Sequence, residues 1–104
     1  MTRFCVIGSI NVDMVARVSA FPQSGQTITG LSFATAFGGK GANQATALGR
    51  MGAPVTLCGK VGTDGFGDQY LGELARNGVD GTRIARAEGA TGVAVIEVDD
   101  AGAN

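Results

Sequence analysis

Apolar residues in this chain fall in short runs separated by glycine, and the runs differ in period. Phe4–Ile7 is continuously apolar and stopped by Gly8, which predicts a buried parallel strand. Residues 12–18 alternate, with Val12, Met14, Ala16 and Val18 set against Asp13, Val15 and Arg17, so a second strand with one more polar face is expected. Residues 21–25, Phe-Pro-Gln-Ser-Gly, form a turn cluster. Residues 26–37, rich in Thr and aromatics and broken by Gly30, read as one or two strands with a bend.

The period then changes. Ala42, Ala45, Leu48 and Met51 recur at threefold spacing and predict a helix over 41–51, with Gly52 as its left-handed stop. The small residues Ala42, Ala45 and Gly49 would let that helix lie close to a sheet. Residues 55–61 form a further strand. Asp64 is placed to cap a helix over 66–77, where Phe66, Tyr70, Leu71 and Leu74 share a side and Gly78 ends it. Residues 91–98 read as the last strand, and residues 99–102 begin a turn. Helices between hydrophobic strands predict an α/β fold, with residues 12–37 as an antiparallel insertion.

Composition narrows the class. The 104 residues are 44% hydrophobic, which excludes a disordered chain and allows one domain. The eight basic residues are scattered and the net charge is -1, so neither nucleic acid nor an anionic membrane is an expected partner. The four apolar residues before Gly8 are too few for a signal peptide or a membrane span, and the expected location is cytoplasmic. Cys5 and Cys58 lie in strand-like runs without C-x-x-C spacing and are expected to be buried free thiols. With no histidine in the chain, neither a His-based triad nor a His-ligated metal can be built. Glycine is abundant, at 18 residues, and lies at the ends of apolar runs rather than at a fixed period.

Two groups of residues carry candidate chemistry. Asn11 and Asp13, two apart on a strand, point the same way, and a carboxylate beside an amide suits adjacent hydroxyls. The same pair could instead close the first strand as an Asx turn. The run Gly38-Gly39-Lys40-Gly41-Ala42-Asn43 leads into a helix, where glycines expose backbone N–H groups and Lys40 and Asn43 add donors. A glycine turn capping an ordinary helix is the plain alternative. The phosphate-loop pattern G-x-x-x-x-G-K-[ST] fails because Gly41 follows Lys40. The dinucleotide pattern G-x-G-x-x-G fails at Gln44.

The spaced combination resembles the first signature of the ribokinase-like (PfkB-type) carbohydrate kinases. It comprises G-S-I-N-V-D at the start, F-P-x-x-G-x-T-x-T-G over 21–30 and G-G-K-G-A-N-Q-A from Gly38. R-M-G-A over 50–53, V-G-x-D-x-F-G over 61–67 and T-G-V-A over 91–94 follow. The resemblance implies the N-terminal portion of a three-layer α/β sheet domain with a small β-sheet lid, whose strands fall within about 12–37 and 91–98. Residues 1–104 would then be one partial domain. By the same resemblance Asn11 and Asp13 bind sugar hydroxyls. Gly39, Lys40, Gly41 and Asn43, flanked by Gly38 and Ala42, form the second sugar-binding segment, and Ala94 and Ile96 are lid contacts. Lid strands pair two subunits in such proteins, so a homodimer is expected.

The family's second signature, D-x-x-G-A-G-D, which supplies the catalytic base and anion hole, does not occur in these 104 residues. Gly65-Phe66-Gly67-Asp68 only mimics it, and Asp68 is expected to be a first-turn acid favoured by the helix dipole. ATP with Mg²⁺ and a monovalent cation is therefore expected of the full-length enzyme, with no cofactor, metal or catalytic residue within residues 1–104. The leading expectation is an N-terminal part of a sugar kinase, inactive alone, with exposed sheet edges prone to self-association. The alternatives are a non-catalytic sugar-binding or assembly module, a kinase for another furanose or a nucleoside, and a generic nucleotide-binding α/β domain.

Overall fold

In the computed structural model, which describes residues 2–104, the strands divide between two sheets. The first contains β1 (Phe4–Ile7). The second begins at β2 (Asn11–Arg17), which pairs antiparallel with β3 (Ser32–Gly38). The chain then returns to the first sheet through α1 (Lys40–Arg50) and β4 (Val55–Gly62), which lies parallel to β1. Helix α2 (Gly65–Arg76) leads to the two-residue β5 (Val79–Asp80), and β6 (Ile84–Ala87) follows; both pair parallel with β4. Finally β7 (Val93–Val98) crosses to the second sheet and lies parallel to β2, giving the order β3-β2-β7.

The architecture is a β-α-β-α-β run with a sheet inserted between its first strand and first helix. The two sheets sit end to end, so the molecule measures 53 × 30 × 19 Å. Its radius of gyration of 16.2 Å exceeds the ~13 Å of a compact chain of this length.

The core lies where α1 and α2 cover one face of the first sheet. Val55, Leu57 and Val61 of β4 meet Ala42 and Ala45 of α1 and Tyr70 and Leu74 of α2, with Ile10 and Val12 closing the end nearest the second sheet. As the spacing predicts, α1 presents alanines inward and Gly52 ends it at φ 82°, while Gly78 ends α2 at φ 78°. Met51 departs from the expected stripe: it is the C-cap of α1 and points to solvent. Asp64 caps α2 as expected, accepting from the Gly67 N–H at 3.0 Å.

Several expectations need correction. Phe4–Ile7 forms a parallel strand, but it is not buried. The helices cover only one face of the first sheet among the described residues, and Ile7 on the other face is 82% exposed. Cys5 is exposed and Cys58 half-buried on that uncovered face, so the thiols are free but not interior. Their Sγ atoms lie 3.8 Å apart. Cys5 pairs with Thr56, two residues before Cys58. Residues 26–30 form no strand, because Pro22, Gly25 and Gly30 break the segment before Ser32. The last strand begins at Val93 rather than at residue 91, and β5 and β6 were not expected from the pattern.

Candidate functional site

The strand β2 carries the first pair of candidate residues along one face. Asn11 Nδ2 donates to Asp13 Oδ1 at 3.2 Å, and both side chains are half-buried, so the amide holds the carboxylate in place without removing it from solvent. In the sheet register Gly38 lies opposite Asn11, and Ala94 opposite Asp13. Ile96 pairs with Val15, so Ala94 and Ile96 share the face of Asn11 and Asp13.

Gly38 is missing a side chain for a reason the structure makes explicit. A Cβ there would lie 2.6 Å from Asp13 Oδ1 and 2.7 Å from Oδ2, so the carboxylate occupies that space. Gly39 has φ 97° and precedes α1; a Cβ there would meet the Ser9 carbonyl oxygen at 2.5 Å. Gly41 is buried one residue into the helix, where its Cα surface is filled by the Gly8–Ser9 backbone. The Ala42 N–H donates to the Ser9 carbonyl at 3.0 Å, and Ala42 is fully buried.

The glycine run thus anchors α1 against the β1–β2 connection. It also leaves the N-terminus of α1 without a side-chain cap and without an acid in its first turn. Helix α2 has both, in Asp64 and Asp68. An uncapped N-terminus presents unpaired N–H donors to an incoming oxygen. Lys40 is exposed at that end. Asn43 has a different neighbourhood: it makes no side-chain hydrogen bond among the described residues and lines a groove of about 240 Å³ with Phe37, Thr46, Arg50, Tyr70, Glu73 and Asn77.

Tyr70 is a residue whose role the sequence pattern did not reveal. It sits in the apolar stripe of α2, yet its hydroxyl donates to the Gly38 carbonyl oxygen and its ring meets Phe37 edge-on at 4.8 Å. A buried tyrosine needs a partner for its hydroxyl, and that requirement is the signal available in sequence. Burial first, then the Asp13 and Glu73 carboxylates, pushes the Tyr70 phenol up to about 12. The folded value lies above the ordinary value of about 10, so the stability that the neutral phenol contributes is complete below pH ~10 and lost as pH rises toward 12. Tyr70 is the sole tyrosine of residues 1–104, so absorbance titration of this chain in its folded state should give one phenolate transition near pH 12. A transition at the ordinary value would contradict the buried hydrogen bond.

Asp68 stands in the first turn of α2 as expected, and it also pairs with Arg86 at 2.8 Å. Asp64 does more than cap. Its carboxylate also accepts from the Thr91 hydroxyl at 2.6 Å and from the Thr91 N–H at 2.9 Å. These bonds, the hydroxyl's first, hold the Asp64 carboxyl below the usual carboxylate range. Among the described residues no cluster of three or more Cys, Asp or Glu could hold a metal, and no helix is long and apolar enough to cross a membrane.

A parallel sheet under two helices, an inserted second sheet and a polar pair beside a glycine-led helix N-terminus define an α/β framework with a candidate binding site. The pfkB family carbohydrate kinase model matches residues 1–104, and the chain belongs to that family. Within it the chain is similar to ribokinases. It is 49% identical to the ribokinase of Bacillus subtilis (strain 168) over 79 residues, 76% of this chain and 27% of the relative. It is 41% identical to that of Schizosaccharomyces pombe over 111 residues, 100% of this chain and 35% of the relative. The solved structure of Arabidopsis thaliana ribokinase complexed with ribose and ATP superposes with a TM-score of 0.92 at 30% identity, covering 98% of this chain and 34% of that one. The chain therefore spans about a third of the length of the relatives it matches.

Proposed function

We propose that this chain is the sugar-binding segment of an ATP-dependent sugar kinase whose substrate is ribose. The observation that carries the reading is the Asn11–Asp13 pair on β2, held 3.2 Å apart on the face that Gly38 and Ala94 share. A carboxylate accepts from two neighbouring hydroxyls, and an amide both donates and accepts, so together they match a vicinal diol. In this reading the N–H groups of Gly39 and Gly41 and the Lys40 ammonium receive the sugar's other oxygens. Gly38 and Ala42 keep the approach narrow, and Asn43 turns from its groove toward the ligand. Ala94 and Ile96 form the apolar wall, and the second sheet acts as a lid that excludes water.

The full-length kinase would transfer the γ-phosphoryl group of ATP to the primary hydroxyl of the sugar. ATP, Mg²⁺, a monovalent cation and the general base are assigned to the remainder of such a kinase, because the signature D-x-x-G-A-G-D, to which the family resemblance gives the base and anion hole, does not occur in residues 1–104. Turnover is accordingly assigned to the full-length protein and not to residues 1–104 alone. The outer face of the second sheet carries Phe33, 65% exposed, and Val95, 73% exposed, which supports pairing of two copies through the lids.

The test is ADP release by the full-length kinase with ribose, 2-deoxyribose or a nucleoside as acceptor. The expected result is turnover dependent on ribose, with the deoxy sugar poorer because it leaves buried polar groups unpaired. A nucleoside preferred over ribose would overturn the substrate assignment, and no acceptor-dependent turnover would overturn the kinase reading.

A further inference from the structure

The chain passes between its two sheets at three places, and one of them is organised around a buried, hydrogen-bonded threonine. Residues 8–10 connect β1 to β2, and Gly39 connects β3 to α1; both rest on close backbone contact, Gly8 against Gly41 and Gly39 against Ser9. The third crossing, residues 88–92 between β6 and β7, is organised around Thr91, which is buried at 3% exposure.

The hydroxyl of Thr91 accepts from the Gly62 N–H at 2.9 Å and donates to Asp64 Oδ1 at 2.6 Å. Its own N–H donates to Asp64 Oδ2 at 2.9 Å. Gly62 is the last residue of β4, and Asp64 is the N-cap of α2. One side chain therefore ties together the end of a core strand, the start of a core helix and the entry to β7. The junction is closed around it by backbone: the Thr63 N–H donates to the Gly89 carbonyl at 2.9 Å, and Arg86 Nε donates to the Gly62 carbonyl at 2.8 Å. A side chain at Gly62 has no room, since a Cβ there would run into the backbone of Gly89, Ala90 and Thr91.

What this junction sets is the height of β7 along β2. The Val12 N–H donates to the Gly92 carbonyl at 2.9 Å, immediately after Thr91, and the next pairs in register are Val93 with Val12 and Ala94 with Asp13. A slip of one residue would turn every β7 side chain to the opposite face. It would replace Ala94 beside Asp13 with a bulkier valine.

We propose that Thr91, held by Asp64, is a positioning residue for sugar recognition: it fixes the register of β7 and so keeps Ala94 beside the Asp13 carboxylate. The inference rests on the sugar-kinase reading for its functional consequence, whereas its structural part stands on residues 62–94 alone. Thr91→Val keeps the shape and removes the hydroxyl, leaving the Gly62 N–H unpaired and Asp64 short of a donor.

Two measurements test it. Hydrogen–deuterium exchange should show faster exchange of the residue 93–98 amides in Thr91→Val, with the residue 55–58 amides unchanged; uniform or absent change overturns the proposal whatever the activity. In the full-length kinase, Thr91→Val should raise the sugar KM by about tenfold with the ATP KM unchanged, and Thr91→Ser should restore the sugar KM. Equal rises in both KM values, or failure of the serine to rescue, would reduce Thr91 to a general stabiliser. Should Thr91→Val fold poorly, Asp64→Asn serves instead, because it can keep the Gly67 cap while setting an amide donor against the Thr91 N–H. Wild-type protein that turns over no sugar overturns the kinase reading; wild-type turnover with an unshifted sugar KM in the variants overturns this inference alone.

Discussion

Replacing Asp13 by alanine in the full-length kinase should raise the sugar KM by about a hundred- to twenty-thousand-fold and leave the ATP KM within about twofold. The magnitude follows from two hydroxyl-to-carboxylate hydrogen bonds at about 1.5–3 kcal/mol each, with about 1.4 kcal/mol per tenfold. The selectivity follows from place. Asp13 sits on β2 beside Asn11 and above Gly38, in the second sheet, where the proposed sugar contacts gather. Stability should change little, since the carboxylate is half-buried and its partner Asn11 is also open to water. The substitution has an internal control as well. Asp13 helps to raise the Tyr70 phenol, so in residues 1–104, where Tyr70 is the sole tyrosine, Asp13→Ala should move the tyrosine titration down from about 12 while leaving the fold intact. Comparable losses in sugar and ATP binding would count against the site assignment.

How far the sequence alone reaches depends on the range of the interaction that places each residue. Asn11 and Asp13 were legible as a pair because a strand has a period of two and no tertiary knowledge is needed. The α1 and α2 boundaries were legible because Asp64, Gly52 and Gly78 are local punctuation with local physics. The Asp64–Thr91 junction was not, because its hydrogen bonds span 27 residues and nothing in either neighbourhood requires the other. Strand β5 has two residues and β6 reads Ile-Ala-Arg-Ala, too short and too polar for periodicity to register. The exposed Cys5 and Ile7 mark another limit. An apolar run reports that a strand suits covered faces, and here the helices cover only one. Asn43 marks a third, since helix position alone could not tell whether its side chain faces β2 or the groove beside Tyr70.

Gly41 brings the candidate site and the fold into direct competition, and Gly41→Ala should decide between them. If the glycine served only to admit a ligand, the added methyl would raise the sugar KM and leave stability untouched. The structure gives it another duty. A Cβ at residue 41 would lie 2.7 Å from both the carbonyl carbon and the Cα of Gly8, and 2.9 Å from the Ser9 nitrogen. All three are backbone atoms at the start of the connection into β2, and the Ser9 carbonyl is already tied to the Ala42 N–H at 3.0 Å. None can turn aside as a flexible side chain could. Overpacking of this kind costs about 1–3 kcal/mol, and rigid backbone on the far side puts Gly41→Ala at the upper end. For a full-length kinase about three times this length, about 3 kcal/mol corresponds to a fall in Tm of roughly 6–12 °C at most. Gly65→Ala is the matched control, because nothing lies within 4 Å of a Cβ there and the residue begins a helix. It should leave stability equal or raise it by up to about 1 kcal/mol, as alanine loses less backbone entropy than glycine. A Tm for Gly41→Ala equal to the wild-type value, with weakened sugar binding, would mean that the helix can shift off Gly8. The glycine's first duty would then be to the ligand; a large loss of stability makes it the contact that lets α1 begin where Asp13 can face its N-terminus.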